Sequence, residues 1–334
     1  VRKVYVGLGD RSSPVQGGSG ALYIDDIRAC PPRCVASIVK PEADIAIPYD
    51  CIVDEKDLRV LAGDWLLRDR VITTSPPSDV NLTALYEFEG NWYDTSGNAN
   101  HLTDPCGTAP GFTTGGVFGQ ALVLDGAGDH LAVSGIGIDG NTPRTIACWA
   151  QADSTNMQDW SLVFGFTNTN GVDNSHFNIG YSSAGIVNNE PSFIAHVWGW
   201  EEQILPLDVG VWHHFAMTYD GTTIRYYGDG VEMDTEPDES QVRDLSPNVD
   251  LVGVGKRGTH GNSFHGKVDD ARIYSVVLSE SEIAYLATNG APEIHVQIPS
   301  EADLHKGEAP GSQWINFKDY GVLANQYLDE VLWP

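Results

Sequence analysis

The sequence predicts a mainly β protein with the architecture of a two-sheet antiparallel sandwich. Between residues 84 and 290, about a dozen short stretches alternate apolar and polar residues and are separated by turns rich in Gly, Asn and Asp. Regularly spaced short strands of this kind are typical of β-sandwiches. The clearest strand pair lies in Gly210–Glu232, where an Asp220-Gly221 turn joins two alternating stretches into a predicted hairpin.

Composition limits the function classes that fit this chain. Its 334 residues are 41% hydrophobic and 10% aromatic, enough for a packed core. The 46 acidic and 19 basic residues give a net charge of -27, which argues against nucleic acid or anionic lipid as a partner and suits divalent cations such as calcium. Solubility in a salty or extracellular medium explains the same charge. No run of 18 apolar residues occurs, so no membrane insertion is predicted.

The first 29 residues contain two short sequence motifs that occur again late in the chain. Val6–Arg11 matches Val252–Arg257, and Ile24–Arg28 matches Val268–Arg272. We interpret residues 1–29 as the closing strands of a preceding, incomplete sandwich. This interpretation predicts that the chain is a processed or excised piece of a longer protein.

Two segments with helical periodicity flank the predicted sandwich, at residues 30–72 and 291–334, and residues 73–83 form a short Pro/Ser linker. Asp57 stands near the start of the first predicted helix, and Asp319 takes the same place in the second. The predicted apolar faces comprise Leu58, Leu61, Trp65 and Leu66 in the first helix and Tyr320, Leu323, Tyr327 and Leu328 in the second.

Residues 84–290 resemble the laminin-G-like, concanavalin A-like jelly-roll domains. The motifs that carry this resemblance are ALYEFEG with DTSGNANHL, FGQALVLDGAGDHLAV, WHHFAMTYDG and GKVDDARIYSVVLS. They are specific for the fold and much less so for a ligand. The flanking segments resemble the loop-plus-helix half of dockerin-like calcium modules, in diluted form. The resemblance therefore implies a jelly roll between two dockerin-like helical segments.

Both resemblances imply calcium as a cofactor. In such jelly rolls the first and last strands are neighbours, which would bring Asp94 and Asn98 near Asp269 and Asp270. In the first dockerin-like loop the corresponding ligands would be Asp50, Asp54 and Asp57. Calcium favours clustered carboxylate and carbonyl oxygens of this kind. The alternative is that Asp and Asn in turns bind their own backbone and that the helices keep an ancestral spacing without metal.

Three tryptophans are candidates for binding an extracellular glycan. Trp198 and Trp200 occupy alternate positions, which predicts one face of a strand, and Trp160 lies in a predicted loop. Exposed aromatic rings with polar neighbours are typical of sugar sites. The alternative is that these rings belong to the core.

The five cysteines leave the disulfide pattern open. Cys34 and Cys51 flank a short loop and are the favoured pair. Cys106 with Cys148 is a weaker alternative, and Cys30 would remain free or pair between chains.

Catalysis is not predicted. The sequence has no strand with the paired carboxylates of sandwich glucanases, no His-Glu-x-x-His and no Gly-x-Ser-x-Gly. The favoured function is a non-catalytic extracellular or cell-surface subunit, structural or adhesive, stabilised by calcium. It would associate with copies of itself through its terminal segments, by strand addition, into a filament or tube. The alternative is a carbohydrate-binding, lectin-like module cut from a larger secreted protein.

Overall fold

The computed structural model of the chain describes two compact units. The helical unit consists of described residues between 34 and 65 and between 300 and 330, and the β-domain of those between 70 and 296. The predicted strands of residues 1–29, and Cys30, lie outside the described residues. The described ranges are 34–37, 40–65, 70–108, 110–168, 173–184, 189–233, 241–245, 251–257, 262–296, 300, 302–305 and 315–330.

The described residues of the β-domain contain sixteen strands, a 3-10 helix at Asp79–Asn81 and one α-helix between the last two strands. In chain order they are β1 (Arg70–Thr73), β2 (Leu82–Tyr86), β3 (Gly111–Thr113), β4 (Ala121–Asp125), β5 (Leu131–Val133), β6 (Arg144–Ala152), β7 (Ser161–Thr167), β8 (Phe177–Ser182), β9 (Ser192–Val197), β10 (Trp200–Pro206), β11 (Trp212–Tyr219), β12 (Ile224–Gly228), β13 (Val231–Glu232), β14 (Leu251–Val254), β15 (His265–Tyr274) and β16 (Glu293–Val296).

These strands form two antiparallel sheets and a separate β1–β16 pair. The six-stranded sheet has the order β10-β9-β8-β7-β14-β5. The eight-stranded sheet has the order β13-β12-β11-β6-β15-β4-β3, with β2 also beside β15. The predicted two-sheet antiparallel jelly-roll sandwich is confirmed. The compact unit extends beyond the predicted limits of 84 and 290 on both sides.

The core lies between the two sheets, and strand alternation decides which side chains enter it. On β9, Phe193, Ala195 and Val197 belong to the main apolar cluster. His196 lies between two of them in sequence and therefore points to the opposite, outer face of the six-stranded sheet. It is nevertheless only 2% exposed. The outer face of this sheet is thus covered around His196, and the candidate site described below lies there.

Two local predictions from the sequence are present in the β-domain. The central hairpin pairs β11 with β12, and the Asp220 carboxylate accepts hydrogen bonds from the Thr222 and Thr223 amides in the turn. Ser279 caps the α-helix described in this domain and forms a capping box with Glu282, as the Ser-x-x-Glu pattern in the sequence predicts.

The helical unit pairs two helices whose first turns are built alike. The Asp57 carboxylate accepts hydrogen bonds from the amides of Ile45 (2.7 Å), Ala46 (2.9 Å) and Asp54 (2.8 Å). The Asp319 carboxylate accepts from Leu304 (2.9 Å), His305 (2.9 Å) and Asn316 (2.8 Å). This repeat agrees with the predicted correspondence of Asp57 and Asp319. The helices are α1 (Glu55–Gly63) and α3 (Phe317–Gln326), and the helix of the β-domain is α2 (Glu280–Ala287).

Because each aspartate occupies the buried side of its helix, the apolar faces differ from the predicted ones. Leu61 and Leu323 pack together in the core of the unit, as expected. Leu58 is 37% exposed and Leu328 is 71% exposed, so neither belongs to that core. Leu66 lies outside the described residues.

The favoured cysteine pair is present in the structure. Cys34 and Cys51 form a disulfide with their Cα atoms 5.4 Å apart. The alternative pairing of Cys106 with Cys148 is wrong, because both thiols are free and Cys148 is buried on β6. None of the described helices is long and apolar enough to span a membrane.

Candidate functional site

Two of the three candidate tryptophans line one pocket on the outer face of the six-stranded sheet. Its volume is about 210 Å³. The sheet contributes His196 of β9 and Glu201 of β10, which are direct cross-strand partners. The other residues come from the loops around the sheet. We call this site the Trp pocket, and its lining comprises Trp160, His196, Trp198, Gly199, Glu201 and Arg257.

Trp200 does not belong to the pocket. Trp198 and Gly199 form the turn between β9 and β10, and Trp200 is already paired with Val197 across that turn. Because the chain reverses between them, the two tryptophans do not share a strand face, and the prediction that they do is wrong. Trp200 packs in the core beside Tyr226, with ring centroids 6.1 Å apart.

The loop before β7 holds Trp160 in an unusual backbone conformation. Its φ angle is 59°, in the left-handed region that bulky residues rarely adopt. The Trp160 amide donates to the Tyr181 carbonyl at 2.7 Å, and the Asn262 side chain donates to the Asp159 carbonyl at 2.6 Å. Strain of about 1–3 kcal/mol persists only where the surrounding structure enforces it, and such residues cluster at ligand sites.

The position of Trp198 is set by the turn in which it lies and by two neighbouring groups, a guanidinium and an imidazole ring. Gly199 follows it with a φ of 86°, a conformation that glycine supplies without strain. The guanidinium of Arg257 lies over the Trp198 ring, 5.0 Å from its centroid, and the His176 ring lies 5.4 Å away. The Trp198 carbonyl accepts a hydrogen bond from the Asn174 amide at 2.9 Å. These contacts fix the orientation of the indole.

The titratable groups of the pocket have shifted pKa values with identifiable causes. Burial raises the pKa of Glu201, and the Trp160 indole N–H, Arg243 and Arg257 oppose that shift. Burial, His176 and Arg257 hold the pKa of His196 well below its usual value, so its imidazole is neutral at pH 7. Burial also lowers the pKa of Arg257, but an arginine remains charged at neutral pH. The pocket thus presents one cation, one carboxyl group and one neutral imidazole.

A second, more polar cleft lies beside the turn after β4. Its volume is about 320 Å³, and its lining includes Asp125, Gly126, Met157, Gln158 and His265. The loop before β7 contributes to both clefts. Asp125 and Asp129 act here as turn residues, since Asp125 accepts a hydrogen bond from the Ala127 amide and Asp129 accepts one from the Asp125 amide.

In the structure, the residues of the first predicted calcium site form hydrogen bonds and ion pairs with other groups of the protein. The first and last strands of the domain are neighbours as expected, with Tyr86 of β2 opposite Ala271 of β15. Asp94 lies in the loop after β2, where both carboxylate oxygens accept backbone N–H groups. The donors are the amides of Leu85 (3.0 Å), Ser96 (2.9 Å) and Asn100 (2.8 Å). The Asn98 side chain donates to the carbonyls of Leu82 and Thr83.

Asp269 and Asp270 have other partners. Asp269 is fully buried, and one of its oxygens accepts the Phe118 amide at 2.9 Å. Asp270 forms a bidentate ion pair with Arg272, with both contacts at 2.9 Å. Because these groups are bound to amides or to a guanidinium, the donor set as arranged does not fit a calcium ion.

The second predicted calcium site, in the helical unit, has a similar arrangement. Both carboxylate oxygens of Asp57 already accept hydrogen bonds from the three amides described above. Asp54 caps α1 by accepting from the Lys56 amide at 2.7 Å, and Asp50 pairs with the Lys56 ammonium group. Across the part of the chain that the structure describes, no three His, Cys, Asp or Glu side chains gather closely enough to hold a metal ion. Calcium binding stays a prediction that a titration must test.

Sequence reasoning missed Gly199 and the three titratable residues of the Trp pocket, His196, Glu201 and Arg257. Glu201 could have been found, because it stands beside the two tryptophans in HVWGWEEQ. Arg257 also carried a signal, since it closes the repeated motif that matches Val6–Arg11. Their proximity depends on the order of strands in the sheet, which the sequence pattern does not show.

Comparison with known families agrees with this architecture. Residues 125–284 match the laminin G family model described as the concanavalin A-like lectin/glucanases superfamily. The two-sheet antiparallel fold of the β-domain agrees with this match. A comparison with curated protein sequences finds no match for the chain.

Several solved structures are similar to this jelly roll. Domain 4 of AbnA, a GH43 extracellular arabinanase from Geobacillus stearothermophilus in complex with arabinotriose, is 20% identical with a TM-score of 0.48, over 62% of this chain and 98% of that one. The binding domain of Paraclostridial Mosquitocidal Protein 1 is 16% identical with a TM-score of 0.48, over 63% and 52% of the two chains. Trypanosoma rangeli sialidase in complex with sialic acid is 13% identical with a TM-score of 0.47, over 69% and 37%. With TM-scores below 0.5, these likenesses carry no argument about the ligand of this chain.

Proposed function

We propose that the β-domain is a carbohydrate-binding module that holds a sugar residue in the Trp pocket. The observation that carries this proposal is the pair of tryptophans, Trp160 and Trp198, that two separate loops bring to one pocket. Aromatic faces pack against the C–H faces of sugar rings, and convergent polar groups bind their hydroxyls. The lectin-type family of the jelly roll is consistent with this use.

The polar groups of the pocket suit hydroxyl recognition. The Glu201 carboxylate can accept two hydrogen bonds from neighbouring hydroxyls of one sugar ring. The neutral imidazole of His196 lies 3.6 Å from that carboxylate and offers both a donor and an acceptor. The volume of about 210 Å³ is below that of sites for drug-sized ligands and leaves room for roughly one sugar ring. We therefore expect recognition of a chain end or a branch.

Binding without hydrolysis is part of this proposal. Glycoside hydrolysis generally uses two carboxyl groups on opposite sides of the bond to be cut. Glu201 is the single carboxyl group in the lining of the Trp pocket described above. One carboxylate among aromatic and basic neighbours supports binding rather than cleavage.

The experiment is a glycan array followed by calorimetric titration of the best ligand with three variants. Trp198→Ala should weaken binding by about 30-fold or more, because a buried Trp anchor contributes about 2 kcal/mol or more. Trp198→Phe should retain part of the affinity. The matched control is Trp212→Ala. In the wild type, Trp212 lies on β11 of the eight-stranded sheet, and its indole donates to the Gly115 carbonyl. Equal affinity of the wild type and Trp198→Ala for every bound glycan would exclude the Trp pocket as the sugar site.

An extracellular location is also proposed. The Cys34–Cys51 disulfide supports it, because structural disulfides persist mainly in oxidising compartments. Non-reducing mass spectrometry of the protein recovered from culture medium and from cell extract would test the location. Self-association through residues 1–29 stays a prediction, since that segment lies outside the described residues. Stabilisation by calcium also stays a prediction, which calorimetry with and without the ion would test.

A further inference from the structure

The Trp pocket contains a buried cation that lacks an ion-pair partner among the described residues. Arg257 is only 5% exposed, and its Nε atom has no hydrogen-bond partner in the described part of the chain. The ion pairs formed by described residues do not include Arg257. Burying a charge is costly unless it is paired and hydrogen-bonded. An unpaired guanidinium at a pocket wall therefore calls for a physical explanation.

The neighbours of Arg257 compensate its charge only in part. The Trp198 ring attracts the guanidinium through its π face, with the guanidinium 5.0 Å from the ring centroid. Glu201 acts on Arg257 electrostatically from the pocket lining without forming an ion pair. Burial nevertheless outweighs this attraction and lowers the pKa of Arg257. The other arginine that Glu201 senses, Arg243, donates to the Asn174 side chain at 3.0 Å.

We propose that Arg257 binds an anionic group of the sugar, so that the Trp pocket selects an acidic sugar residue carrying a carboxylate or a sulfate. This inference rests on the proposed function. The guanidinium presents a planar fork of N–H donors that matches the two oxygens of such a group. The stack on Trp198 holds this fork at the pocket wall. Glu201 and His196 remain available for the hydroxyls of the same ring.

Because the whole chain is negatively charged, binding of an anion at this site can be distinguished from a general attraction of anions to the protein. The net charge of -27 repels polyanions at long range. Any preference for an acidic sugar must then come from a local cation. Measurements at about 0.15 M salt, where the Debye length is about 8 Å, suppress the long-range repulsion and leave the contact with Arg257.

The test compares an acidic sugar with its neutral form on the same ring. The probes are trigalacturonic acid, its methyl ester and a galactose 6-sulfate disaccharide, titrated into the full chain. The wild type should bind at least one anionic probe about 10- to 100-fold more tightly than the ester, which is the range for a charged hydrogen-bonded contact. The carboxylate and sulfate probes show which anion is preferred.

The variant Arg257→Met separates recognition from structural support. Methionine keeps an apolar chain beside Trp198 and removes the charge. Under our inference, Arg257→Met loses affinity for the anionic probe by a larger factor than for the ester, so the preference for the anionic probe disappears. An equal loss for both probes would mean that Arg257 only supports Trp198, and would overturn the inference. The control Lys267→Met removes a cation that pairs with Asp153 on the eight-stranded sheet and should keep the preference.

Two further outcomes distinguish this inference from the proposed function. If the ester and the anions bind equally and Trp198→Ala abolishes both, the inference fails and the carbohydrate-binding function stands. If no glycan on an array of neutral and acidic sugars binds the wild type, both fail.

Discussion

The acidic loops and the Trp pocket differ in whether their charged side chains have hydrogen-bond or ion-pair partners. Asp57 and Asp94 each accept three backbone N–H groups, and Asp319 repeats the arrangement of Asp57. Arg257, by contrast, is buried without an ion-pair partner among the described residues. The carboxylates that most resemble metal ligands thus accept hydrogen bonds from backbone amides. In the Trp pocket, by contrast, the positive charge of Arg257 is not neutralised by an ion pair with a described residue.

This difference teaches which polar groups indicate function. A buried carboxylate that accepts several amides replaces the hydrogen bonds those amides would make with water, so it stabilises a loop. A buried charge without a partner destabilises the folded state and persists where a ligand compensates for it. The number of oxygens in a loop is therefore a weaker indication than the state of their hydrogen bonds.

The largest expected effect concerns the loops. Asp57→Ala removes the acceptor of one buried and two partly buried amides, and we expect it to destabilise the helical unit by about 3–5 kcal/mol. Hydrogen exchange at the Ile45 and Ala46 amides, measured with the Cys34–Cys51 disulfide intact, reports the stability of the helical unit separately from that of the β-domain. The control Glu55→Ala removes an exposed ion pair with Arg59 and should cost less than about 1 kcal/mol. Similar exchange rates in both variants would show that Asp57 is not the organising group.

Asp269 is intermediate between the two regions. One of its oxygens accepts the Phe118 amide, and Oδ1 is buried without a partner among the described residues. Burial raises the pKa of Asp269 from 3.8 to about 6. Because the folded state keeps its proton while the unfolded state has lost it, the free energy of unfolding should decrease as pH rises from about 4 to about 6.

Asp269→Asn should remove this decrease and raise stability at pH 7 by on the order of 2–3 kcal/mol. Urea unfolding of the β-domain at pH 4, 5, 6 and 7 checks both statements. Asp125→Asn, on an exposed turn, is the control and should leave the pH profile unchanged. A wild-type stability that rises between pH 4 and pH 6, with no effect of Asp269→Asn, would contradict the prediction.

Much of the fold could be predicted from local sequence. Alternation around Asp220-Gly221 predicted the central hairpin, and Ser279 with Glu282 predicted the start of α2 because a capping box satisfies its donors within one turn. The correspondence of Asp57 and Asp319 also followed from local spacing. These features are set by interactions between residues close in the chain.

The candidate site could be predicted only in part. Trp160 and Trp198 were identified from the sequence as candidates, but Trp200 was misassigned, because the Trp198-Gly199 turn reverses the chain where the alternation indicates one continuous strand. Arg257 reaches Trp198 only through the packing of distant segments. The sequence draws attention to the carboxylates of the predicted calcium sites, but no pattern of side chains shows which backbone amides they will bind.

A smaller effect is expected from the one carboxyl group of the Trp pocket. Glu201→Gln removes the negative charge that faces Arg257, so affinity for an anionic sugar should rise about three- to tenfold. Affinity for the neutral ester should fall by a similar factor, because an amide accepts fewer hydrogen bonds from hydroxyls than a carboxylate does. Glu202→Gln makes the same charge change on the adjacent, oppositely facing residue and is the control. Parallel changes for both ligands would indicate altered pocket shape rather than altered charge.

The smallest expected effect is that of calcium. A site filled at 100 times its dissociation constant would add about 2.7 kcal/mol, or roughly 5–10 °C in Tm for a domain of this size. Because amides already occupy the oxygens of Asp57 and Asp94, we expect calorimetry with 5 mM calcium and with a chelator to differ by less than about 1 °C, with magnesium as the control for ionic strength. A rise of several degrees that Asp94→Asn abolishes would contradict this. It would show that the loop after β2 exchanges its amide donors for the ion, and it would restore the calcium site that the sequence predicts.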